Sequence, residues 1–246
     1  MKGLKSFIIV LLVIALIGAG LYIYKNESEK NNNKNEVNNN QTNEKTAEET
    51  KEENVEEIYK EIINNYKSAK EEYEKDDTIS LEEKYPLVSE TLITHIIRYK
   101  ETSQLAYTYY DIDNNGTKEL ILGLKEDNNK LLPTAVYTHN NNEVKKIYYL
   151  DTIERGNLEI YDNGILYSTG AGSATTHYYR FYKIASDGIS LETLENIKEE
   201  YITDTEVKYY EGDTEKTLDY KDSNEILKKY INDSKKLELT ITNTID

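Results

Sequence analysis

Apolar and polar positions divide the chain into stretches of different period. Phe7 to Tyr24 (FIIVLLVIALIGAGLYIY) has no period at all, being uncharged and free of amide side chains throughout. As a helix rising about 1.5 Å per residue it would be about 27 Å long, close to the hydrocarbon thickness of a bilayer. Lys2 and Lys5 precede it, whereas Glu27 and Glu29 follow it among lysines, which favours the N-terminus inside. The pattern therefore predicts a signal anchor over 1–24, attached to the cell membrane through residues 7–24, in a single-pass protein whose C-terminal part is extracellular. The competing reading is a cleaved leader and a secreted product. Against it, Gly18, Ala19 and Gly20 lie inside the apolar run rather than after a shorter one.

Lys25 to Glu53 contains only Val37 and Ala47 as apolar residues. Such a stretch cannot bury enough surface to offset the entropy of ordering its backbone, so 25–53 reads as a disordered Asn/Glu/Lys-rich tether. From Asn54 the period becomes helical: Val55, Ile58, Tyr59, Ile62, Ile63, Tyr66, Ala69 and Tyr73 recur at steps of three and four. Asp76, Asp77 and Thr78 interrupt it. Leu87, Val88, Leu92, Ile93, Ile96 and Ile97 then predict a second helix with Pro86 near its start, where proline is tolerated.

After Lys100 the period falls towards two. Candidate strands are 104–110, 118–124, 133–139, 144–149, 158–161, 165–168, 176–184, 189–192, 201–209 and 218–220. The turns between them, at 111–116, 140–142, 162–164 and 186–188, are too short for parallel crossovers. A closing helix over 222–230 and a last strand over Leu237–Ile241 complete the pattern. The expected fold is α+β: two helices packed on an antiparallel β-meander sheet. It forms one extracellular domain over 54–246, helical over 54–100 and mainly β over 101–246.

Composition narrows what such a domain does. With 30 Lys plus Arg against 46 Asp plus Glu, the 246-residue chain carries a net charge of −16, which argues against a nucleic-acid partner. The absence of cysteine excludes disulfides, thiolate nucleophiles, Cys-ligated zinc and a lipidated cysteine anchor. The 23 tyrosines suggest sugar stacking, but most occupy strand positions where tyrosine is a good β former, and adjacent pairs such as Tyr148-Tyr149 must point to opposite faces. His95, His139 and His177 form no close pair; His95, within the second apolar set, reads as a half-buried packing residue. Gly170 to His177 combines glycines with hydroxyls but lacks the order of a nucleophile elbow or phosphate loop. It reads as a flexible hairpin loop, with ligand contact as its functional alternative.

One constellation carries chemistry. Asp111, Asp113, Asn115, Gly116 and Glu119 spell D-x-D-x-N-G-x-x-E between two apolar runs. Alternating oxygens on a tight loop suit a hard cation such as Ca²⁺, which takes six to eight oxygens at about 2.3–2.6 Å. The expected ligands are the side chains of Asp111, Asp113 and Asn115, the Thr117 carbonyl, and Glu119 directly or through water. Leu122 occupies the place of an EF-hand's final bidentate acid, so the loop is not an EF-hand. The competing reading is a bare turn, since Asp, Asn and Gly favour hairpins without a metal.

These residues resemble the calcium loops of FG-GAP and VCBS-type repeats, the integrin-like hairpins of bacterial surface proteins, over about Leu105–Leu124. Asp162-Asn163-Gly164 and Asp187-Gly188 repeat the turn without the upstream acids. The order of leader, polar spacer, helices and one such hairpin is also similar to cell-surface proteins of low-GC Gram-positive bacteria. The resemblance implies a structural calcium ion and no catalytic residue. The expected function is a membrane-anchored extracellular binding or scaffold module whose partner is a cell-wall polymer or a surface protein. The alternatives are a hydrolase of wall polymer or an envelope-sensing regulatory ectodomain.

Overall fold

A computed structural model of the chain describes residues 54–140, 143–202, 207–211, 214–216, 225 and 228–246. The anchor, the tether and the strand expected at 218–220 lie outside these residues. Among the described residues no helix is long and apolar enough to cross a membrane.

Helix α1 (Val55–Lys75) starts where the Asn54 side chain accepts the Glu57 N–H, and it has Glu56 and Glu57 in its first turn and Lys75 in its last, as the helix dipole favours. Its buried residues, Tyr59, Ile62, Tyr66 and Ala69, follow the predicted stripe. The expected second helix is α3 (Glu90–Arg98), capped by Ser89, and a separate single turn not expected from the pattern, α2 (Leu81–Lys84), capped by Ser80, precedes it. Pro86 sits in the break rather than at the start of α3, because the residue before a proline is pushed out of helical geometry.

Among the described residues eleven strands form two antiparallel sheets, where one meander was expected. Sheet 1 has the order β11-β1-β2-β3-β4, from β1 (Leu105–Tyr110), β2 (Glu119–Lys125), β3 (Leu131–Asn140), β4 (Glu143–Tyr149) and β11 (Asn243–Ile245). Sheet 2 has the order β10-β9-β8-β7-β6-β5, from β5 (Gly156–Ile160), β6 (Ile165–Ser173), β7 (Thr176–Ile184), β8 (Leu191–Tyr201), β9 (Val207–Glu211) and β10 (Thr214–Lys216). Gly170 to His177 is thus mostly strand, with a turn only at 174–175, and not a flexible loop. The segments expected at 189–192 and 201–209 are replaced by the continuous strand β8 and by β9.

Sheet 1 is the middle layer. Leu105, Leu120, Leu122, Leu124, Ala135 and Tyr137 pack against the helices, while Ala106, Ile121 and Val136 on its other face meet Leu158, Ile160, Leu166 and Ile184 of sheet 2. Period two explains the split, since neighbours along a strand point to opposite faces. Three tyrosine hydroxyls fix α1 to this layer. Tyr59 donates to the Lys118 carbonyl at 3.0 Å, and Tyr137 donates to the Leu87 carbonyl at 2.6 Å. With the Tyr137 proton spent there, its 2.7 Å contact with Tyr66 has Tyr66 as donor, and the Tyr66 oxygen accepts the Ser89 N–H at 2.9 Å. Burial pushes the Tyr66 phenol up to about 12, so this chain of bonds stays neutral at any ordinary pH.

The alternation at Leu237–Ile241 is real, but the segment is a strap rather than a ladder strand. Leu237, Leu239 and Ile241 enter the core between the sheets, while the Leu237 N–H donates to Ile160 of β5 and the Leu239 carbonyl accepts from Leu131 of β3. On the outer face of sheet 2, Tyr161, Ile165 and Phe181 are covered by Tyr230 and Ile231; residues 225 and 228–231 are helical, overlapping the closing helix expected at 222–230 and passing it by one residue.

Candidate metal centre

The loop between β1 and β2 is built at the open end of a tight hairpin, where Tyr110 and Glu119 are the last paired residues. The Asp111 carboxylate organises it: Oδ1 accepts the Asn115 N–H at 3.1 Å and Oδ2 accepts the Gly116 N–H at 2.9 Å. Asp113 Oδ1 accepts the same Asn115 N–H at 3.2 Å, and Asn115 Oδ1 accepts the Thr117 N–H at 2.7 Å. Asn114 at φ 59° and Gly116 at φ 91° make the sharp reversal; asparagine and glycine are the residues that enter this left-handed region most readily.

The sole apolar residue of the loop, Ile112, is 1% exposed and packs between the two sheets. That anchor was not recognised from the sequence. A single isoleucine amid seven polar or glycine positions was the signal for it. The β5–β6 turn closes over the anchor, and a Cβ at Gly164 would stand only 3.1 Å from the Ile112 carbonyl oxygen.

Glu119 lies behind the loop with no exposed surface. Its Oε2 accepts the Ile112 N–H at 2.8 Å, while its Oε1 is buried and without a hydrogen-bond partner. Burial, reinforced by the facing Asp113 and Asp111 carboxylates and only partly offset by the Ile112 N–H, pushes its carboxyl up to about 8. One oxygen from each of Asp111, Asp113 and Glu119 lies within 4.8 Å of the others. Two oxygens bound to one Ca²⁺ at about 2.4 Å can be at most about 4.8 Å apart, so this spacing fits one coordination sphere. No Lys or Arg among the described residues pairs with any of the three. Of the five expected ligands, the structure brings these three together and ties Asn115 and Thr117 into the internal bonding of the loop. Leu122 points into the helical core, fully buried.

Two other sets of titratable groups lie away from the loop. His95 Nδ1 lies 3.3 Å from Glu154 and its ring packs on Tyr99, in keeping with a packing role. Glu199, buried on β8, accepts from Tyr179 at 3.0 Å, with His177 Nδ1 3.6 Å away. Comparison of the chain with protein-family models, curated proteins and solved structures returns no match.

Proposed function

We propose that the domain is a non-enzymatic extracellular binding or scaffold module, held at the membrane by residues 7–24, whose β1–β2 loop takes a structural calcium ion. The observation that carries the metal reading is the bare Glu119 Oε1. A buried carboxyl oxygen with no donor, facing two further carboxylates, is a costly arrangement unless a cation supplies the missing charge. Asp111, Asp113 and Glu119 would hold the ion, which supplies positive charge and cross-links the hairpin to the inter-sheet core through Ile112. The outside location and the module role rest on the leader pattern and the FG-GAP-like hairpin. The three acids are engaged with loop amides or a buried wall rather than opened to a substrate cleft.

Thermal unfolding of the full chain in detergent, with calcium and with chelator, tests the metal. A ligand at tenfold its Kd stabilises by about 1.4 kcal/mol, which for a domain near 200 residues is a shift of about 3–6 °C. The wild type should show that shift at millimolar calcium and Asp113→Ala should not. A wild-type midpoint indifferent to calcium would sink the proposal.

A further inference from the structure

The inner face of sheet 2 changes character along its strands. Near the β5–β6 turn it carries Ile160, Leu166 and Tyr182, which pack on sheet 1. Further along, the register pairs Ser168 with Arg180 and Gly170 with Tyr178, and the face turns polar and glycine-rich. Here, between the end of β4 and the strands β5 to β7, a cleft of about 140 Å³ opens, lined in part by Tyr148, Ser168, Gly170, Gly172, Tyr178 and Arg180.

Arg180 is the notable wall. It is half-buried, and its guanidinium carbon lies 4.7 Å from the centre of the Tyr178 ring. It makes no hydrogen bond or ion pair to any described residue, although the chain carries a surplus of acids. Asp151 lines the same cleft without reaching ion-pair distance. A guanidinium held over an aromatic ring with its donors unspent is prepared for a two-pronged grip on a carboxylate or phosphate. The remaining wall offers short polar groups and room. Tyr148 donates its hydroxyl to Ser168, which leaves the Ser168 proton for another acceptor. Gly172 leaves the edge of Tyr178 uncovered, since a Cβ there would meet the ring at 3.0 Å.

We infer that this cleft binds the terminal ring of an anionic sugar, with Arg180 on its carboxylate or phosphate and Tyr178 against its C–H face. Hydroxyls on the wall and stacking on tyrosine suit the ring, and the guanidinium selects the charge. At about 30 Å³ per water the volume holds four or five waters, the size of one hexose ring and not of a polymer segment. This deepens the binding-module reading by naming a ligand class, and it does not depend on the calcium loop, which lies at the opposite end of the β5–β6 hairpin.

The test is ligand-observed NMR on the full chain in detergent, titrated with glucuronate, glucose 6-phosphate and glucose. At least one anion should saturate, with glucose at least tenfold weaker. Which anion binds tells a carboxylate from a phosphate ligand. Arg180→Gln should weaken the anion at least tenfold, and Arg180→Lys, which keeps the charge but not the fork, should fall between. Each variant is checked for an unchanged melting midpoint, and if Arg180→Gln fails to fold the lysine variant alone decides. Glucose binding as well as the anions, no saturable binding of any of the three at millimolar concentration, or unchanged affinity in both variants would overturn the inference. A chain that responds to calcium but to no sugar acid would leave the metal reading intact, and the reverse result would leave this one.

Discussion

Two hairpin turns of this protein begin from the same sequence idea, an aspartate followed by a glycine with positive φ, and end differently. In the β7–β8 turn the Asp187 carboxylate accepts the Ile189 and Ser190 N–H groups at 2.9 and 3.0 Å and the Ser190 hydroxyl at 2.6 Å. Led by that hydroxyl, these donors hold its carboxyl below the usual range. Nothing in the turn is fully buried, and its carboxylate bonds only to donors within the turn, while Thr138 and Asn140 of β3 donate to the Gly188 and Asp187 carbonyls. In the β1–β2 turn Asp111 also spends its oxygens on loop amides, yet the loop sends Ile112 into the core and keeps a buried acid, Glu119, behind it. An Asp-Gly turn closes a hairpin by itself. What sets the proposed metal site apart is the second carboxylate, Asp113, and a third acid whose oxygen has nothing to bond.

The largest effect that separates the two turns is expected at Ile112. Ile112→Ala removes a buried side chain between the sheets, for about 2–5 kcal/mol, and the loss should appear with calcium or with chelator. If the loop is anchored as described, the variant also needs more calcium for the same stabilisation, since the hairpin is no longer held in register with Glu119. Chemical denaturation at several calcium concentrations reads both effects. A variant destabilised in chelator but with unchanged calcium response would show that the anchor serves only the core.

Glu119 gives the next effect, and its sign is specific. The carboxyl titrates near 8 in the folded chain and near 4.5 when unfolded, so between these values the folded state holds more protons. Stability therefore falls as pH rises through that window, because the unfolded state ionises first. In chelator the wild-type midpoint should decline from about pH 4.5 to about pH 8, and in saturating calcium that decline should flatten. Glu119→Gln keeps an oxygen for the Ile112 N–H but cannot ionise. It should lose both the slope and the calcium response, and above pH 8 in chelator it should be more stable than the wild type. A wild-type chelator slope of the opposite sign would remove the argument for an unpaired buried carboxyl.

The outcome at these turns also shows which features were legible in the sequence. The stripe from Tyr59 to Ala69 and the strand Thr176–Ile184 were readable because each periodicity is local and strong. β8 was broken into pieces because Glu192, Glu195, Asn196, Lys198 and Glu199 are poor strand formers. It forms because β7 on one side and β9 on the other supply its ladder. That there are two sheets was not legible, since alternation says which residues share a face but not what the face meets. At the metal candidate, D-x-D-x-N-G-x-x-E gave the ligand types, while the empty side of Glu119 and the insertion of Ile112 depend on how the second sheet closes over the loop. Arg180 and Tyr178 are two residues apart, so they had to share a strand face, but only the packing of β4 beside them makes a cleft.

The smallest effect is the matched comparison of the two aspartates themselves. Asp187→Ala removes three local hydrogen bonds from an exposed turn, and water can replace each of them. The expected drop in midpoint is small, near what a melting curve resolves, and equal in calcium and chelator. Asp111→Ala removes two comparable bonds, so in chelator it should resemble Asp187→Ala, with a modest additional relief because one of the charges facing Glu119 has gone. If the proposal holds, the pair separates in calcium, since Asp111→Ala would also delete a proposed ligand and forfeit the stabilisation that binding would give the wild type. The informative quantity is the difference between the two variants in calcium minus their difference in chelator, from which the shared cost of losing an aspartate's turn bonds cancels. A value of zero would mean that the two turns are the same kind of object and that Asp111, Asp113 and Glu119 are there for the hairpin alone.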